Sequence, residues 1–374
     1  LAAVSVAGLA LLLCVASATV PAGAHPAWPT AYVTNAQLSS LSVYSGNQLS
    51  GSIANVGNGP TGIAVDPTSK TAYVADYGFS GSPSSTVTPV DLSSGQPLPP
   101  IPVGVGPLAI ALTPDDKFAV VTLQGTPTSP GHQVQEINLS TLAVSPAVNV
   151  GTNPQSLAIS PDGHTAYVAA LTSGNVTPVD LTSWPPHALA PIPLPGTAPN
   201  GIAVSPNGRT AYVLDAEHAI VIPISLPSES VGTPLDLVCQ KSGDPGCTPH
   251  AIVISPNGRT AYVAAAGSAD VVVLKLPSLT VSGVLSTGGY PDGLGLSGRW
   301  LYVADAASNE MSIFVGGKHP HTVGGVTYPY GVGVLPPAKA GIAAPALAQR
   351  PPPRDGAARP AGVDRPVTPF YGAP

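Results

Sequence analysis

One phrase, written repeatedly along the chain, limits its possible folds more than any other feature. It opens Pro-x-Gly-apolar, passes through Ser-Pro-Asp/Asn-Gly and closes on Thr-Ala-Tyr-Val-Ala. The fullest copies are PNGIAVSPNGRTAYVLD, Pro199 to Asp215, and PHAIVISPNGRTAYVAA, Pro249 to Ala265. Others run Pro60 to Asp76, Pro107 to Leu123, Pro154 to Ala170 and Pro291 to Asp305. Measured at the tyrosine position (Tyr32, Tyr73, Val120, Tyr167, Tyr212, Tyr262, Tyr302), copies lie 41, 47, 47, 45, 50 and 40 residues apart. Such a period, filled with short β segments, predicts propeller blades of four strands each. Helical repeats would need apolar residues at three, four and seven spacing. Here the apolar runs are short, β-branched and cut by Pro and Gly.

A single blade is legible in full. Gly201 to Ser205 reads as the inner strand, and Ser205-Pro206-Asn207-Gly208 as a tight turn whose Asn-Gly pair supplies positive φ angles. Thr210 to Leu214 reads as the second strand, Ala219 to Ser225 as the third, and Val231 to about Val238 as the fourth. Gly-rich links such as Val103 to Pro107 then cross to the next inner strand. At the ends the phrase is divided. The first copy begins at Thr30 without an inner strand, and Pro329 to Val334 is an inner strand with nothing after it. Six whole units and one divided unit predict an all-β, seven-bladed propeller of antiparallel blades. The C-terminal strand completes the N-terminal blade and leaves no open edge there.

These residues carry a resemblance. The chain resembles the YVTN-repeat β-propellers, and Tyr32-Val33-Thr34-Asn35 spells the motif literally. The likeness spans Thr30 to Leu335. It implies an exported binding or scaffold protein, since that family includes secreted and surface-layer proteins. It implies little about chemistry, because propellers host unrelated functions.

Leu1 to Val15 is apolar and uncharged, and Ala22-Gly23-Ala24 follows as an Ala-x-Ala site. Residues 1–24 therefore read as a signal peptide, truncated at its N-terminus because the chain opens on Leu without a basic leader. An uncleaved anchor is the alternative, and a lipid attached at Cys14 fits worse because the residues before it are leucines. The propeller is assigned to 25–336, and the Pro/Ala-rich segment 337–374 to a disordered tail. Export makes Cys239 and Cys247 an expected disulfide, with a two-cysteine metal site as the weaker alternative. Charged residues are only 9% of the chain and the formal net charge is −6, so no basic stripe exists to bind nucleic acid. A secreted or envelope-associated monomer is expected, with no membrane contact beyond the signal segment.

In a propeller the face carrying the inter-blade links gathers two sets of residues at the channel mouth. One follows the link proline: Thr61, Leu108, Gln155, Asn200, His250, Asp292 and Tyr330. The other closes the Tyr-Val strand: Asn35, Asp76, Leu123, Ala170, Asp215, Ala265 and Asp305. Both vary while the framework repeats, which is where a repeat protein places its ligand site. The ligand-binding candidates are Thr61, Asp76, Gln155, Asn200, Asp215, His250, Asp292 and Asp305. Oxygen ligands of this kind could hold Ca²⁺ or Mg²⁺, and a His among carboxylates could serve as a general base. The plainer reading is that strand-end Asp and Asn side chains cap loop amides. The turn residues Asp162, Asn207 and Asn257 are structural, the repeated tyrosines are blade packing, and His164, His187 and His218 are surface groups.

No nucleophile motif, phosphate loop or zinc pattern occurs. The leading expectation is thus a non-enzymatic exported propeller with no cofactor, binding a protein, glycan or cell-envelope component. The alternative is a propeller-type lactonase or lyase with a divalent metal at the channel mouth. Lactonase-like propellers are similar in blade number, and antibiotic-cleaving lyases are similar at Pro249-His250. The lyases favour a Trp-Phe pair where this chain has Tyr-Val.

Overall fold

In the computed structural model the chain is a seven-bladed β-propeller. The structure describes residues 28–336 apart from 80, 81, 127, 227, 238–246, 318 and 319. Segments 1–24 and 337–374, with the leader, Cys14, the tail and Cys239, lie outside the described residues. Blade 1 joins the two ends: Pro329–Leu335 is its inner strand, followed by Thr30–Asn35, Ser40–Ser45 and Gln48–Ile53. Blades 2 to 7 begin at Pro60–Asp66, Pro107–Leu112, Pro154–Ile159, Pro199–Val204, Pro249–Ile254 and Pro291–Ser297. The predicted closure is present: Thr30 pairs with Leu335 and Val33 with Val332, antiparallel. Among the described residues the one helix is a single 3₁₀ turn, Ala266–Ser268, and no helix is long and apolar enough to cross a membrane.

In blade 5 the strands follow the predicted order, with Pro199–Val204, Thr210–Asp215 and Ile220–Ser225 paired in sequence. The predicted fourth strand is broken into Ser230–Val231 and Leu235–Asp236, both pairing the third strand. Gly232-Thr233-Pro234 stands between them, and proline cannot donate to the ladder. Blades 2 and 4 have the same broken outer strand. The turn also differs in detail from expectation. Only Gly208 takes a positive φ, +69°; Asn207 acts instead through its side chain. Its Oδ1 accepts from the Ser205 hydroxyl at 2.7 Å and the Arg209 amide at 3.0 Å, while Ser205 Oγ accepts the Thr210 amide. Asp162 and Asn257 make the same bonds, which confirms them as turn residues.

The core is a ring of seven apolar clusters, each shared by two neighbouring blades. The motif tyrosines carry these contacts. Tyr212 packs with Ile252 and Val263 of the next blade, and Tyr73 with Ile110 and Val121. Each such side chain contributes roughly 1.5–3 kcal/mol when removed from water. The cluster of Tyr302, Met311 and Ile313 with Ala31, Val33 and Tyr44 joins blade 7 to blade 1. Tyr302 is fully buried and donates to the Gly46 carbonyl at 2.9 Å. Burial raises the Tyr32 phenol to about 12 and shifts Tyr44 and Tyr302 upward as well, so these hydroxyls stay protonated.

Two devices place the link face. In every blade, the residue before the inner-strand proline turns its carbonyl to the amide that follows the Tyr-Val segment of the second strand, as in Tyr77 N–H to Gly59 O and Ala306 N–H to Tyr290 O. Every inner strand then carries a register shift beside its proline, such as Pro249/Ala251 and Pro291/Gly293. A bulge re-aims the side chain at the irregularity, and here that residue is the variable one.

Candidate functional site

Because of the bulge, the side chains after the link prolines reach sideways toward the next blade. Thr61 Oγ1 donates to the Leu108 carbonyl at 3.0 Å, and Asn200 Nδ2 approaches the Pro249 carbonyl at 3.5 Å. His250 reaches Asp292, one blade on and 42 positions later in sequence, with Nδ1 2.7 Å from Oδ1. Small residues follow these positions because neighbouring inner strands nearly touch. A Cβ added to Gly293 would lie 1.9 Å from the Tyr330 carbonyl oxygen, and one on Gly331 2.3 Å from that of Thr61.

The ring so formed has two unlike halves. Thr61 and Leu108 are buried and their polar or apolar groups are spent on packing. Gln155, Asn200, His250, Asp292 and Tyr330 are partly exposed in consecutive blades 4, 5, 6, 7 and 1. Gln155 Nε2 bonds Asn153 Oδ1 at 3.0 Å. The blades of the closed half also carry the longest hairpins, Thr71–Phe79 with Ser82–Asp91 and Phe118–Thr126 with Ser129–Asn138. The open polar arc therefore centres on His250 and Asp292.

The strand-closing set does not join this arc. Asp76 is fully buried; its Oδ2 accepts from the Thr86 and Thr88 hydroxyls at 2.7 Å each, and its Oδ1 has no partner. Asp305 repeats the arrangement, with Oδ2 accepting from Ser312 Oγ at 2.6 Å and Oδ1 unpartnered. Burial, partly offset by these hydroxyls, raises both carboxyls from 3.8 to about 6. Asp215 Oδ1 instead accepts the Ala198, Glu217 and His218 amides, and its Oδ2 lies 2.7 Å from His218 Nδ1. Asn35 takes the Thr327 amide and donates to Ser40 and Ser42. Asp215 and Asn35 thus cap loop amides, as in the plainer sequence reading, whereas Asp76 and Asp305 depart from it and bond third-strand hydroxyls. Leu123, Ala170 and Ala265, the apolar members, are buried.

The residues do not fit the divalent ion considered for the mouth. Among the described residues no three His, Cys, Asp or Glu side chains converge, and each strand-end carboxylate is bound within its own part of the fold. Cys247 is buried with its sulfur 3.0 Å from the Leu237 carbonyl, while its expected partner Cys239 is outside the described residues. His164 and His187 are surface groups beside Asp162 and Asp180. His218 was also expected on the surface and is half exposed, yet it is held by Asp215, which raises its pKa. Sequence reasoning missed Tyr290. Its hydroxyl lies 3.4 Å from His250 Nε2, and the two rings meet edge to face at 5.2 Å.

With Nδ1–H donated to Asp292, His250 presents Nε2 as its basic nitrogen, the orientation a general base needs. The His250 side chain is 20% exposed and that of Asp292 9%, so a small molecule can reach the ring while the carboxylate behind it is largely shielded.

No family model matches the chain, and no curated protein matches it. Solved structures do. The periplasmic gluconolactonase PpgL of Pseudomonas aeruginosa is similar at 18% identity and a TM-score of 0.65, over 82% of this chain and 98% of that one. A candidate 6-phosphogluconolactonase from Bacteroides uniformis matches at 15% and 0.67, over 82% and 99%. Hydrazine synthase of Kuenenia stuttgartiensis matches at 20% and 0.66, over 76% and 91%. Likeness at such identities shows the fold. The expectation of a non-enzymatic scaffold is nevertheless corrected: these three similar propellers carry the names of enzymes, two of them lactonases. The sequence reading looked for local motifs, whereas the His250–Asp292 pair spans two blades.

Proposed function

We propose that this propeller hydrolyses lactones at its link face, with His250 as general base and Asp292 as the residue that positions it. The observation that carries this is the 2.7 Å bond between His250 Nδ1 and Asp292 Oδ1 across neighbouring blades. Water bound at Nε2, in place of the long 3.4 Å contact from the Tyr290 hydroxyl, attacks the lactone carbonyl carbon and passes a proton to Nε2. The tetrahedral intermediate then collapses, the bond from the acyl carbon to the ring oxygen breaks, and the imidazolium returns the proton to that oxygen. The product is the open hydroxy acid. Asp292 fixes the tautomer and steadies the transient positive charge. Asn200 precedes His250 by one blade, and its 3.5 Å contact is at the limit of a hydrogen bond. Its amide is thus available to a developing oxyanion. No metal enters these steps.

Release of acid from D-glucono-1,5-lactone, followed by pH-stat against the spontaneous rate, is the test. His250→Gln is expected to lower kcat about 100-fold or more, and Asp292→Asn to lower it with little change in KM. Wild-type protein that does not exceed the spontaneous rate rejects the reading.

Lactone substrates with a periplasmic neighbour fit an extracytoplasmic site of action, which the apolar segment 1–15 and Ala22-Gly23-Ala24 also support. The YVTN kinship rests on the repeated Thr-Ala-Tyr-Val strands themselves, and we hold it as a proposal of descent rather than of activity.

A further inference from the structure

We infer that the face opposite the links joins two copies of this chain, each laying its basic half on the other's acidic half, in place of the monomer expected from sequence. The inference goes beyond the lactonase reading and does not depend on it, and it leaves the link face of both copies open.

On this face every inner strand ends, every second strand begins and every third strand ends. Charge is divided across it. Blades 2 to 4 place six acids there, Asp66, Asp91, Asp115, Asp116, Asp162 and Asp180, against Lys70 and Lys117, a net −4 with His neutral. Among the described residues, blades 5 to 7 place Arg209, Arg259, Lys275 and Arg299 there against Glu229, a net +3. Blade 1, between the two halves, has no charged residue. The turns do not demand this division. Asp115 and Asp162 accept the hydroxyl and amide of their turns as Asn207 and Asn257 do, so either residue type serves the fold. The cations differ too. Lys117 lies 3.4 Å from Asp115 and His164 3.6 Å from Asp162. Arg209, Arg259 and Arg299 are exposed and, among the described residues, form no ion pair.

Two-fold symmetry fits this pattern. An axis lying in the face, through blade 1 and the gap between blades 4 and 5, sets blade 2 on the partner's blade 7, blade 3 on its blade 6 and blade 4 on its blade 5. First turns then meet first turns: Asp115 and Asp116 face the partner's Arg259, and Asp162 faces the partner's Arg209. Blade 1 alone meets its own copy, where like charges would repel, and it is the uncharged blade. The described ends, Trp28 and Pro336, lie at blade 1, away from the charged arcs. Glu229 is the exception, since its turn faces Asp180. The area suffices as well. Blades of four strands about 4.8 Å apart make a disc roughly 40 Å across, a face of roughly 1,200 Å² against the about 800 Å² per partner of a stable interface. Pro67, Pro114, Pro206 and Pro256 are exposed in the same turns, and burying proline costs little side-chain entropy. Area supplies the affinity, and the charge pattern sets the register.

Sedimentation equilibrium of the full chain, at about 50 mM and about 1 M salt, is the test. A dimer is expected at low salt, with its dissociation constant at least about ten-fold higher at high salt. Arg259→Glu should weaken the dimer by at least about ten-fold at low salt, with circular dichroism and melting temperature unchanged. Adding Asp116→Arg to Arg259→Glu should restore it, because the swapped charges meet again across the axis. Glu229→Lys should tighten it. Arg209→Glu, in another blade, gives an independent reading of the same loss. A chain that stays monomeric at low salt up to about 100 µM overturns the inference. So does a dimer indifferent to salt and to Arg259→Glu, or a charge swap that fails to restore association.

Discussion

Raising the pH from 4 to 7 should weaken this fold, and Asp76 and Asp305 should be the cause. Each is fully buried with one oxygen bonded to Ser or Thr hydroxyls and the other without a partner. Burial lifts each from 3.8 to about 6. A group whose folded pKa is raised contributes stability that is complete below its unfolded value and lost as pH rises through the folded one. The window is therefore pH 4 to 6. A rise from 3.8 to about 6 is worth roughly 3 kcal/mol per carboxyl, or about 6 for the pair. Asp91, Asp115 and Asp162 act oppositely, since their hydrogen bonds hold them below the usual value, but they do so under pH 4. Asp76→Asn isolates the effect. Its carbonyl can still accept from Thr86 and Thr88, and the lone charged oxygen becomes a neutral amide. Urea unfolding, followed by fluorescence and circular dichroism at pH 4 to 8, should show Asp76→Asn more stable than wild type at pH 8 and equal or weaker at pH 4. The double variant with Asp305→Asn should lose most of this dependence, with Asp116, also raised by burial, and His218, raised by Asp215, keeping a smaller slope of the same sign. Wild-type stability that rises from pH 4 to 7, or an Asn variant weaker at every pH, would refute the reasoning.

Two further outcomes follow from close packing and from the cysteines. Gly293→Ala puts a Cβ 1.9 Å from the Tyr330 carbonyl oxygen, at the contact between blades 7 and 1. It should cost about 1–3 kcal/mol by overpacking, while Gly51→Ala, with nothing within 4 Å of the new carbon, should melt close to wild type. Thiol counting on unreduced, denatured protein should find neither Cys239 nor Cys247 reactive; two free thiols would end the disulfide proposal.

The parts of the site that were legible in the sequence are those set by repetition. Aligning copies at the tyrosine identified the positions after the link proline, and His250 and Asp292 were both among them. Their pairing was not legible. Strand-end Asp76 and Asp305 were read as facing the channel, whereas their third-strand neighbours Thr86, Thr88 and Ser312 supply hydroxyls that draw them into the blade. A signal for Tyr290 did exist: tyrosine stands where blades 2 and 3 have glycine before the proline.

The sequence by itself determined the blade count, the antiparallel strands and the closure of the ring. Those follow from local turn chemistry, from apolar runs and from one repeat divided between the two termini. Tertiary structure decided which variable residues meet. The bulge in each inner strand swings a side chain toward the following blade, so His250 finds Asp292 rather than a carboxylate of its own blade. The physical reason is range: turns and strands are fixed by neighbours a few residues apart, whereas a site at a propeller mouth is fixed by how whole blades lean on one another.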